Sequence, residues 1–266
     1  MFCNDPFLTY LKSFGYNVIR LPKADVKPLQ VLARQGNDLN RLGDLATLLV
    51  TGSNIPLPLL SENTRAANIS GQRTSDLSIG VGISIMASII GGMGGSKLGV
   101  DTKYQQAKTA AFEFQDVYED KVEIIILDQY LADADVNPFS RYVAELLEAD
   151  ELFVTTATIK STKFTVEAKK SDSTTLDLSI PEIQGIVGGN VKVSGAAKVT
   201  SKVTYESSVP LVFGFQAVRL FYDQGRYTAF EPLTAGAVGM KALSQVPSDG
   251  AQRLITDSTF LRLSGV

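Results

Sequence analysis

The chain has 266 residues, 44% of them apolar, which is ample for a sizeable core, and a formal net charge of −3 with 20% charged residues, which announces no polyanion-binding face. It contains no histidine, no tryptophan and one cysteine. Histidine-based acid/base catalysis, Ser-His-Asp and Cys-His machinery, the usual zinc and iron ligand sets and an intrachain disulfide are thereby excluded. Carboxylate or lysine chemistry remains as an option, but no motif places a pair of carboxylates, so the expectation is a protein that is not an enzyme, uses no cofactor or metal and binds no nucleic acid, with a carboxylate enzyme as a distant third reading.

The N-terminus, MFCNDPFLTYLKSFGY, carries Asp5 early and has no basic region before a continuous apolar stretch, unlike a secretory signal. A cytoplasmic location is expected. Asp5 and Pro6 suit the N-cap and first position of a short helix that Gly15 closes, with Phe7, Leu11 and Phe14 as its apolar stripe. Tyr16 to Leu21 then reads as a strand, and Val26 to Leu29 as a short extended piece beside prolines. From Asp38 to Val50, leucines 39, 42, 45, 48 and 49 recur at spacings of three and four, which predicts a short amphipathic helix or helical turn. The prolines of IPLPLL keep the next segment extended.

Between Leu77 and Ser96 there is no charged residue, a length that would cross a bilayer as a helix, which takes about 20 residues. The pattern is that of a strand instead. Leu77, Ile79, Val81, Ile83 and Ile85 alternate with Ser78, Gly80, Gly82 and Ser84, and six glycines in the same window weaken a helix by about 1 kcal/mol each. The GGMGGSK segment lacks the Gly-Lys-Ser/Thr order of a phosphate loop and reads as a hairpin tip. Leu98, Val100, Thr102 and Tyr104 alternate on the way back, and Ala111 to Val117 continues as strand. Such a hairpin fits two environments: beneath helices in a soluble sheet, or in lipid, where a β-strand needs about 9–11 residues of alternation.

Asn137 and Pro138 predict the start of a helix with Phe139, Tyr142, Val143, Leu146 and Leu147 on one face. From Leu152 onward alternating frames run for more than fifty residues: Phe164/Val166/Ala168, Leu176/Leu178/Ile180, Val191/Val193 and Val199/Val203/Tyr205. Lysines beside Ser and Thr make the opposite face wet. Val209 to Leu233 reads as two core strands joined at Asp223-Gln224-Gly225. Thr234 to Gln252 is small, polar and dotted with glycine, which marks a linker, and the tail beyond it regains Leu254, Ile255, Phe260, Leu261 and Leu263. Cys3, beside Phe2, reads either as a small buried apolar residue or as an acceptor of a reversible acyl chain.

The chain resembles the bacterial gasdermins, pore-forming relatives of the executioners of pyroptotic cell death. The resemblance rests on Cys3, on the segments YNVIRLPKADVKPLQVL and RQGNDLNRLGDLATLL, on the block PLVFGFQAVRLFYDQGRYTAFEPL and on the short tail, and so spans nearly the whole chain. It implies an α+β fold with a twisted central antiparallel sheet, surrounding helices and a short C-terminal autoinhibitory tail. It also implies a pore-forming body over residues 1–239, and a linker and inhibitory peptide over 240–266.

Proteolysis would free an inactive cytoplasmic monomer to assemble a homo-oligomer in the cell's inner membrane, causing cell death as antiphage defence. The regions implied to insert are 70–110, with Leu77, Ile79, Val81, Ile83 and Ile85, and 155–206. Cys3 matches the acylated cysteine, with palmitate as the expected adduct, and Leu254, Ile255, Phe260, Leu261 and Leu263 would dock the tail. In the linker, Lys241 suits a trypsin-like or basic-specific caspase-like protease, with Leu243 as second choice. Membrane lipids and that protease are the expected partners. Four strands cannot close a barrel, since the smallest natural ones need about eight, and lipid tolerates no open edge, so oligomerisation is required. The alternative is a soluble sheet-rich lipid-binding or scaffold protein whose hairpin lines an apolar cavity.

Overall fold

A computed structural model describes residues 11–35, 38–51, 55–71, 77–78, 109–169, 191–195, 202–233 and 262–264. Most of it is one antiparallel, branched sheet. Two long strands form its spine: β9 (Leu152–Lys169) and β11 (Lys202–Asp223), antiparallel to each other. Both are rich in Val, Thr and Phe, which suit a pleated surface packed on both sides. Indeed, residues 152–159 of β9 are buried without a break. β1 (Asn17–Lys23) and β12 (Arg226–Pro232) pair with β11, while β2 (Gln30–Gln35) pairs with β9 and with β3 (Asp38–Asp44). On the other flank β7 (Thr109–Val122) pairs with β9 and carries β5 (Leu60–Arg65) and β6 (Leu77–Ser78) on its outer edge.

The core lies on both faces of this sheet. On one, the helices α2 (Ile124–Asp133) and α3 (Arg141–Glu148) lay Leu127, Tyr130, Leu131, Val143, Leu146 and Leu147 over Val31, Leu152, Val154, Val218 and Leu220. On the other, Ile19, Leu32, Leu39, Phe153, Val212 and Phe215 close together. A small ribbon of β4 (Leu49–Thr51) and β8 (Ala134–Val136) ties the helical layer together. Tyr16 donates to the Glu119 carboxylate and fastens the start of β1 to β7. Burial first, and then that acceptor, push the Tyr16 phenol above its usual range.

Several sequence expectations hold. Residues 11–13 are helical and Gly15, at φ +80°, ends that turn as a left-handed C-terminal cap; β1, β7 and the β11–β12 hairpin lie where expected. The hairpin turns on Gln224 and Gly225, at φ 50° and 78°, the two positive angles that match a two-residue loop to strand twist.

Other expectations are corrected. Of the helix or helical turn predicted over 38–50, only a single turn is found, α1 (Leu45–Leu48), between β3 and β4. Cross-strand pairing with β2 overrides the leucine spacing, and Leu42 is the extra residue of a bulge, since Val31 faces Gly43 and Leu32 faces Arg41. Val26 to Leu29 bends instead of extending, with Leu29 at φ 63° leading into β2. The helix expected from Asn137 begins at Arg141: Asn137 Oδ1 accepts from the Phe139 N–H at 3.0 Å, holding a turn that leaves Phe139 91% and Tyr142 56% exposed. Only Val143, Leu146 and Leu147 of that face are buried.

Candidate membrane-inserting site

Strands from the two regions that the sequence singles out lie side by side in the sheet, in the order β6, β7, β9, β11. The registers align their residues in rows, because directly opposed residues of antiparallel strands share a face. Phe114 faces Phe164, which faces Tyr205; Phe112 faces Val166, which faces Val203; Leu77 faces Ala110, which faces Ala168. Between these rows lie polar ones. Gln115, Lys163 and Glu206 are aligned, as are Glu113, Thr165 and Thr204; Glu167 faces Lys202, and Thr109 faces Lys169 and Ser78. The array is therefore amphipathic across four strands drawn from both regions, in one shared register.

In the present state the base of its apolar face is covered. Phe112, Phe114 and Phe164 are buried, with Phe114 stacked on Phe213 at 4.1 Å between centroids and edge-on to Phe164 at 6.2 Å. On the polar face Lys163 and Glu206 pair at 2.5 Å. The Glu206 carboxylate, by its hydrogen bond and charge, raises the Lys163 ammonium above its usual range. Among the described residues no helix is long and apolar enough to cross a membrane.

A line of irregularities crosses β11, β9, β7 and the end of β5 at one level. On β11, Glu206 faces Lys163 and the next aligned pair is Leu211 with Ser161, so residues 207–210, ending in Pro210, bulge out of the ladder. On β9, Ser161 Oγ lies 2.6 Å from the Gln115 carbonyl and accepts the Lys163 N–H at 3.0 Å, replacing bonds lost to the bulge. On β7, Asp116 sits at φ 49°, and β5 gives way to a turn whose Ala66 and Gly71 N–H groups donate to the Val117 and Phe114 carbonyls. Just inside the line lies a buried ion pair, Lys160 with Asp120, whose carboxylate also accepts the Asn63 N–H at 2.7 Å.

Of the predicted site residues, Leu77 lies in β6 on the apolar row, and Leu263 lies in β13 (Arg262–Ser264), a strand that pairs in parallel with β3 opposite Leu39. Cys3, Ile79, Val81, Ile83, Ile85, Lys241, Leu243, Leu254, Ile255, Phe260 and Leu261 lie outside the described residues. The interrupted line and the Lys160–Asp120 pair were missed from sequence. Pro210, inside an otherwise strand-like run, was the one signal for the bulge.

Residues 19–226 match the Bacterial Gasdermin Family. Over 266 residues the chain is 76% identical to Gasdermin bGSDM of a Desulfuromonadales bacterium, covering all of both sequences. It is 43% identical over 250 residues to Gasdermin bGSDM of Lysobacter enzymogenes, covering 94% of this chain and 91% of that one. The solved structure of a bacterial gasdermin from Bradyrhizobium tropiciagri superposes with a TM-score of 0.58 over 85% of this chain and 90% of that one; at 15% identity, this likeness concerns the fold alone. By sequence over its whole length, the chain belongs to the bacterial gasdermin family, a family of pore-formers.

Proposed function

We propose that this gasdermin is a protease-activated pore-former that permeabilises the membrane of its own cell, a death effector suited to antiphage defence. The observation that carries the reading is the amphipathic array: strands from two distant regions already share a register that separates apolar from polar rows. Extended and repeated around a ring, such an array presents its apolar rows to lipid and its polar rows to a lumen, and ring closure removes the free edges that lipid does not tolerate. The body, residues 1–239, stays a cytoplasmic monomer while the linker and tail, 240–266, remain attached. A caspase-like or trypsin-like protease cuts in the linker, at Lys241 or next at Leu243, and the freed body assembles on the inner membrane. Electron microscopy of vesicles incubated with the cut chain should show rings; smooth vesicles and retained dye would favour a soluble lipid-binding scaffold.

Cys3 fits the scheme as an acylation site. Each buried methylene contributes about 0.8 kcal/mol, so a palmitoyl chain stabilises whichever state buries it, in a groove of the resting fold or in the bilayer. Intact mass of protein purified without reductant should show an adduct that hydroxylamine removes. An unmodified mass, or Cys3→Ala with undiminished killing, would count against that role.

A further inference from the structure

The polar face of the array has a charge pattern of its own. Counted outward from the line of irregularities, its first row is Gln115, Lys163 and Glu206, its second Glu113, Thr165 and Thr204, and its third Ala111, Glu167 and Lys202. The fourth is Ser78, Thr109 and Lys169. Successive rows lie two residues apart along the strands, about 7 Å. In the first row Lys163 and Glu206 are paired at 2.5 Å, and in the third Glu167 and Lys202 hold directly opposed positions. The second row carries one carboxylate and the fourth one lysine. Among the described residues the face therefore holds three acidic and three basic positions.

We infer that the lumen of the pore is balanced in charge, so that it passes small solutes of either sign alike. This rests on the pore-forming reading above, in which the polar rows face the lumen. Repeated around an assembly, each row becomes a ring, and such rings select ions: carboxylate rings favour cations, and lysine rings favour anions. Here the first and third rings hold both signs on neighbouring strands, at cross-strand spacings of about 5 Å. That spacing is shorter than the Debye length of about 8 Å at physiological ionic strength, so a passing ion meets neighbouring charges that largely cancel. The Glu113 and Lys169 rings, about 14 Å apart in depth, offset each other. The balance extends along the sequence: residues 77–115 and 163–206 together hold nine lysines, seven carboxylates and no arginine. Lipid penalises charge on the apolar face, which leaves these groups to the lumen and its rims. The residual excess is small and positive.

The test is the ion selectivity of the full chain carrying a foreign protease site in the linker, after cutting, in a planar bilayer of zwitterionic phosphatidylcholine. Potassium chloride at about 10 and 100 mM on the two sides sets Debye lengths of about 30 and 10 Å, long enough to expose any net lumen charge. The parent's potassium-to-chloride permeability ratio should lie within about twofold of one. Glu206→Gln removes the negative charge opposed to Lys163 in every copy and should shift the ratio toward chloride by at least about twofold; Lys163→Gln should shift it toward potassium by a similar factor. The pair is partly exposed, so its loss costs the fold little. The double variant should return to the parent ratio, which a general structural defect would not do. A parent ratio beyond twofold, or single variants that fail to move it in opposite directions, would overturn the balanced lumen while leaving the pore intact. No conductance from the cut parent would overturn both.

Discussion

Replacing Ile83 by aspartate is expected to slow dye release from the cut protein by at least about tenfold, because a charge at mid-bilayer on a barrel's outer face costs about 2–4 kcal/mol. The assignment of the face comes from two directions. Leu77 opens the alternation and lies on the row of Ala110 and Ala168. Counting in twos from Leu77, the sequence alternation predicts that Ile79, Val81, Ile83 and Ile85, which lie outside the described residues, share its face in an extended strand, with Val81 and Ile83 near the middle of the stripe. Every copy in a ring carries the substitution, so the penalty recurs around it. The control is Ser84→Asp, one residue on and of the other parity in the sequence alternation, which should keep release within about threefold of the parent. Release by Ile83→Asp at the parent rate would mean that this strand does not meet lipid.

Asp120→Ala is expected to destabilise the resting fold by about 3–5 kcal/mol, lowering the melting temperature by roughly 10 °C. The Lys160 and Asp120 side chains are 13% and 10% exposed, so removing the carboxylate leaves the ammonium partly buried without its partner and strips the Asn63 N–H of its acceptor. The companion variant, Asp120→Leu with Lys160→Met, removes both charges and should recover most of the loss, because an apolar pair escapes the cost of burying ions. Calorimetry on both chains decides the matter. A single substitution within about 1 kcal/mol of the parent would show that water already screens Lys160.

The bases of the arms were legible because their signal is local: Phe164, Val166 and Ala168 declare period two without reference to any partner. Their partners were not. No pattern within β9 says that Lys163 will meet Gln115 on one side and Glu206 on the other, since register is fixed by contacts more than forty positions apart in sequence. β3 failed for a related reason. Leu39, Leu42, Leu45 and Leu48 fit a helix locally, but only Leu39, Leu45 and Leu48 are buried, and the pairing with β2 pushes Leu42 out at a bulge. Residues 118–136 went unassigned, although Leu127, Tyr130 and Leu131 keep helical spacing, because Ile124 to Ile126 mimic a strand. β10 (Val191–Gly195), which folds back beside β11, was the subtlest. Val191 and Val193 alternate identically whether the chain folds back or runs straight, so sequence could place the strand but not its direction of use.

The tail gives the account its most direct test. β13 adds a parallel strand to β3, beside β1; in the proposed autoinhibited state Leu254, Ile255, Phe260, Leu261 and Leu263 would each add about 1.5–3 kcal/mol on full burial. Tethering supplies a high effective concentration that a cut abolishes, so a weakly held segment then dissociates. The measurement is dye release from vesicles by a chain carrying a foreign protease site between Gly239 and Gly250, before and after cleavage. The intact chain should be silent, and the cut chain should empty the vesicles. Complete cleavage without release, or full release from the uncut chain, would contradict an autoinhibited pore.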